Sequence, residues 1–133
     1  MTNAFFDSTI PIIMDNKEII KFLHQLIAHR DISVEYEQST TRYYIDMESG
    51  SMICIECSLA ADENNRPAYY YAVMLDDDVV MESYCLHNAK KHTQQTKQLM
   101  ELVRKCSNKV IYQEMRARKA GALQQITTTK TIS

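Results

Sequence analysis

The sequence predicts an α+β domain of two layers: an antiparallel meander of four or five strands, flanked in the chain by an N-terminal helix and a long C-terminal helix. Three observations carry that prediction. Apolar residues recur with helical spacing between residues 15 and 30 and again from residue 99. They alternate with a period of two between residues 32 and 85. Short polar links join the alternating runs.

The first 14 residues are apolar but broken by Pro11, and read as an N-terminal arm packing on the body or on a neighbour. A single domain is expected over 15–120, and a flexible polar tail over 121–133. Asp15 stands three residues before Glu18, a capping arrangement, and Ile19, Ile20, Leu23, Leu26 and Ile27 share one helical face. From Ile32, "ISVEYEQ" and "TRYYIDM" alternate as two strands. After the Gly50 turn, "SMICIECSL" sets Ile53, Ile55, Cys57 and Leu59 on one side. The polar "AADENNRP" leads into "AYYYAVML", and "DDD" separates that strand from "VVMESYC", a short fifth strand or a continuation past a bulge. Short links between successive strands imply a meander. The second helix is expected to start at His87 or Asn88, with Leu99, Val103, Cys106 and Val110 facing the core. Ser107 and Asn108 are candidates to interrupt it. The expected core adds Ile53, Ile55 and Leu59 from the third strand.

At 133 residues with 45% hydrophobic and 24% charged side chains, the chain is long enough to bury a core without disulfides or metal. No apolar stretch approaches the roughly 20 residues of a membrane-crossing helix, and residues 1–15 lack the layout of a secretory signal, so no membrane partner and a cytoplasmic location are expected. The net charge of -2 hides an asymmetry. Up to Cys85 there are five Lys/Arg against fifteen Asp/Glu, and from Leu86 ten against two, so the two segments carry -10 and +8.

"CIEC" has C-x-x-C spacing, but on an alternating strand Cys54 and Cys57 point to opposite faces, so reduced thiols are expected rather than zinc or a redox pair. The carboxylate runs at 62–64 and 76–78 lack the ligand spacing of an EF-hand and read as turns. Histidines 24 and 29, and again 87 and 92, are five apart, which suits surface positions better than a shared metal. With two glycines and no nucleophile or phosphate-loop motif, neither a catalytic set nor a cofactor site is expected.

The order helix, antiparallel strands, helix, with "AKK" near the second helix, resembles the double-stranded RNA-binding domain over residues 15–106. The resemblance implies phosphate contacts from Lys90 and Lys91. The chain departs from that pattern at Thr93, Gln94, Gln95 and Thr96, where small alanine-rich positions are expected, and in its acidic strands.

Two functional expectations follow. The first is a small non-enzymatic protein-binding regulator, inhibitor or chaperone-like adaptor, acting as a homodimer or longer homo-oligomer. It would bind through outward strand tyrosines and acids, Tyr44, Tyr70, Asp76, Asp77 and Asp78. The second is an RNA- or DNA-binding module presenting Lys90, Lys91, Lys97, Arg104, Lys105 and Lys109 to phosphates.

Overall fold

The structure is a computed structural model that describes residues 15–132, and side chains as far as residue 126. The expected N-terminal arm, 1–14, lies outside the described residues. Helix α1 (Asn16–His29) is followed by strands β1 (Ser33–Glu37), β2 (Thr40–Asp46), β3 (Met52–Ala61), β4 (Pro67–Leu75) and β5 (Asp78–Leu86), then helix α2 (Gln94–Ile132). The five strands form one antiparallel sheet in chain order, so the expected meander is observed. Asp15 caps α1 by accepting the Glu18 N–H at 2.9 Å, satisfying one of the orphan donors of the first turn.

Both helices lie against one face of the sheet. Ile19, Leu23 and Ile27 of α1 meet Leu99, Leu102, Cys106 and Val110 of α2 over Tyr43, Ile45, Ile53, Ile55, Val73 and Met81. Leu23, Ile45, Leu102 and Cys106 are wholly buried, and truncating a leucine in such a place costs about 2–5 kcal/mol through lost transfer energy and the cavity left behind. Leu59, expected in this core, is 49% exposed. It stands near the far end of β3, opposite Tyr69, at the margin of the core, which still takes in Cys85 on β5.

A short turn fixes the register of β4 and β5. Asp76 and Asp77 both have positive φ, the conformation of the two-residue hairpin link that matches strand twist. Asp76 also accepts the Met52 N–H at 2.9 Å and donates its own N–H to the Met52 carbonyl at 3.0 Å, which ties the β4–β5 hairpin to the start of β3. A register shift between Val73 and Met74 marks a bulge, so the alternatives for "VVMESYC" combine: β5 is separate and its pairing is bulged.

Helix α2 begins seven residues later than the expected start at His87. Thr93 is the reason: its hydroxyl accepts the Thr96 N–H at 3.1 Å, the bond of an N-cap. Residues 87–93 instead carry the chain from the sheet edge to the helix layer, with Cys85 Sγ 2.9 Å from His92 Nδ1. The helix passes Ser107 and Asn108 without a break and runs to Ile132, through most of the segment expected as a tail. No helix among the described residues is long and apolar enough to cross a membrane.

The path of α2 over the sheet is set by polar contacts at both ends. Near its start, Gln95 donates to the Glu82 carbonyl at 2.7 Å and Thr96 bonds the Ser83 hydroxyl, both on β5. Five turns on, the Gln113 amide accepts from Ile32 N–H at 2.8 Å and donates to Ile32 C=O at 2.9 Å, beside the start of β1. The helix therefore crosses the sheet from the β5 edge to the β1 edge and continues outward.

Candidate protein-binding face

The strand register decides which side chains share the uncovered face. Pairing aligns Glu35, Arg42, Glu56, Ala72 and Glu82 in one row across all five strands. On one side of it run Tyr44, Cys54, Met74 and Val79, and on the other Glu37, Thr40, Ser58, Tyr70 and Tyr84. Alternation along each strand places all of these opposite the helices.

Arg42 is the hub of the acidic half. Its Nε donates to Glu56 at 2.9 Å and its Nη1 to Glu35 at 3.1 Å and Glu37 at 3.0 Å. Hydrogen bonds to three carboxylates raise its pKa beyond even the usual guanidinium value. Five carboxylates, Glu35, Glu37, Asp46, Glu56 and Glu82, stand against this one guanidinium, so the face keeps a net charge of -4.

The tyrosines of this face are fixed by the same acids. Tyr70 donates its hydroxyl to Glu82 at 2.6 Å, and its ring lies 4.8 Å from that of Tyr84 at 46°. Burial first, and then the Glu82 carboxylate, raise the Tyr70 phenol pKa. Tyr44 donates to Glu35 at 3.3 Å. Tyr84 is left 60% exposed near the end of its strand, and Met52 and Val79, toward the other end of the sheet, are also open to solvent. A hollow of about 540 Å³ adjoins it, lined by Tyr84 and the β3–β4 loop residues Asp62, Glu63 and Arg66. That loop is rigidly built: Asp62 accepts from the Asn64 and Arg66 N–H groups at 3.0 and 2.8 Å and pairs with the Arg66 guanidinium.

Of the five residues expected to bind a partner, the register places Tyr44 and Tyr70 on this face. Asp76 and Asp77 form the β4–β5 turn, and Asp78 opens β5. Asp76 is committed to the backbone of Met52, and this bond holds its carboxyl below the usual carboxylate range. Arg42, Glu35, Glu56, Glu82 and Tyr84 were not singled out from the sequence. Counting outward from the "EQST" hairpin would have found the first two, since Glu37 opposite Thr40 forces Glu35 opposite Arg42.

The cations form no single surface. Lys90 and Lys91 sit in the linker before α2 rather than in its first turn. Arg104 is paired with Glu101 on its own helix, and Lys109 donates to the Ala28 carbonyl at 3.1 Å, satisfying an orphan acceptor at the end of α1. Arg104, Lys105 and Lys109 share a shallow groove of about 400 Å³ with His24 and Tyr112. Lys97 lies two turns earlier along α2.

The thiols are free, and Cys54 and Cys57 face opposite sides of β3 as alternation requires. Burial pushes Cys54 to about 11 and Cys106 to about 12. No group of His, Cys, Asp or Glu among the described residues is arranged to hold a metal ion. His29 and His87 are exposed as expected, whereas His24 and His92 are half-buried. No protein family, curated protein or solved structure matches the chain.

Proposed function

We propose that this protein is a non-enzymatic protein-binding module of the regulator, inhibitor or adaptor type, and that the uncovered sheet face is its binding surface. The observation that carries the reading is Tyr84. A large aromatic side chain, 60% exposed, stands beside Tyr70 on a face with net charge -4 whose polar side chains are already held in place by one another. Such a surface loses little side-chain entropy on binding, because the rings and carboxylates are ordered beforehand. Its partner is a segment with apolar residues for the tyrosines and cations for the acids. Phosphate is repelled by the same charges, which disfavours nucleic acid on this face. Four unpaired thiols fit a cytoplasmic location.

Backbone amide NMR spectra recorded during titration test the reading. A synthetic cationic amphipathic helix should shift the amides of β4 and β5 around Tyr70 and Tyr84, and Tyr84→Ala should weaken its binding about tenfold or more. A short RNA or DNA duplex should leave the spectrum unchanged. Salt-sensitive duplex binding through Lys90, Lys91 and Lys97, with no response to the peptide, would reverse the conclusion in favour of nucleic acid.

A further inference from the structure

Helix α2 has 39 residues, and among the described residues its buried positions run to Val110, with Gln113 tied to Ile32 at the start of β1. The remainder projects past the β1 edge. On a wheel at 100° per residue, Ile111, Met115, Ala122 and Ile126 fall within a sector of about 60°, opposite the face that packs on the body. Ile111, Met115 and Ile126 are all more than half exposed. Arg118 and Lys119 flank this sector on its two sides, each about 20° beyond its edge, and Arg116 lies further round beyond Lys119, with only Glu114 opposing them nearby.

Resting on the binding-face reading above, we propose that the occupant of the acidic tyrosine face is the projecting end of α2 from a second copy of this chain, exchanged reciprocally to form a closed dimer. Three arguments support it. The charges match, because cations flank the apolar sector of the helix while carboxylates surround the exposed Tyr84, Met52 and Val79 of the sheet. The lengths match: Ile111 to Ile126 spans about 22 Å at 1.5 Å per residue, and five strands at about 4.8 Å spacing span about 19 Å from first to last. The path also matches. The helix is continuous and already lies across the opposite face of its own sheet, so its end cannot turn back onto its own outer face, whereas two copies can exchange ends about a two-fold axis. Pairing the two projecting ends with each other would instead place Arg116, Arg118 and Lys119 against their own copies.

Sedimentation velocity on the full chain tests this with two variants. One reverses the face, Glu37→Lys with Glu82→Lys, and the other reverses the helix, Arg116→Glu with Arg118→Glu and Lys119→Glu. The wild type should sediment as a dimer. Each variant alone should dissociate at least about tenfold more readily, and an equimolar mixture of the two should regain the dimer, because each altered face then meets an altered helix. Recovery in the mixture also shows that both variants are folded. The proposal is overturned by a monomeric wild type, by a dimer that survives the face variant, or by a mixture that stays dissociated. A monomeric wild type whose β4 and β5 amides still respond to the cationic peptide would overturn the dimer alone and leave the binding face standing.

Discussion

His24 lies in α1 with its Nδ1 buried and without a hydrogen-bond partner among the described residues. Burial first, and then the positive charge of Lys105, lower its imidazole pKa from the ordinary 6.5, with Glu101 opposing them. Protonation is therefore harder in the folded chain than in the unfolded one. The unfolded state binds the extra proton as pH falls below 6.5, so this contribution to stability is complete above that value and lost below it, down to the lowered folded pKa. His24→Gln should remove that loss. Urea midpoints measured on both sides of pH 6.5 should fall with acid in the wild type and fall less in the variant, and equal slopes would show that His24 is indifferent to the fold. The sequence gives no sign of this role. The i, i+5 spacing of His24 and His29 suggests solvent, because the groups that surround His24, Glu101 and Lys105, arrive from a helix some 80 residues later.

Among the elements, strands were easier to read than the last helix. Period-two alternation survives in every strand because one face meets the helices; toward the sheet's margins the inward positions are only partly buried, and Leu59 and the 70% exposed Tyr36 are left open. For α2 the local signals competed. Asn88 and Thr93 are both good caps, and the choice between them was made by the distance the linker must travel. Ser107 and Asn108 favour caps too, yet Cys106 and Val110 continue the buried stripe of Leu99 and Leu102, and packing overrides propensity there. Beyond Gln113 propensity has more say. Gly121 is a costly residue inside an exposed helix, and a Cβ added to it would meet nothing within 4 Å. Gly121→Ala should strengthen the projecting end by about 1 kcal/mol. It should deepen the circular dichroism of the helix while leaving the urea midpoint of a dissociated variant almost unchanged. A large rise in that midpoint would mean that the projecting end is part of the cooperative core.

For the whole molecule, the most informative feature of the sequence was the separation of charge along it, -10 up to Cys85 and +8 after it. Folding turns this sequence dipole into a spatial one, since the acids of β1, β2, β3 and β5 gather on one sheet face and most later cations ride on α2 behind or beyond it. What charge counting could not supply was the register that sets Arg42 among Glu35, Glu37 and Glu56, because which residues stand opposite each other depends on turn lengths rather than composition. The two layers are held by apolar side chains, whereas the proposed assembly is drawn together by charge, so ionic strength separates them. Screening shortens the reach of exposed charges to about 10 Å at 0.1 M salt and about 3 Å at 1 M. Raising salt across that range should weaken the dimer severalfold while hardly moving the urea midpoint of the charge-reversed helix variant. A dimer that tightens with salt would instead mean that Met115, Ile126 and Tyr84 dominate the contact, and that the acids around Tyr84 select the partner without holding it.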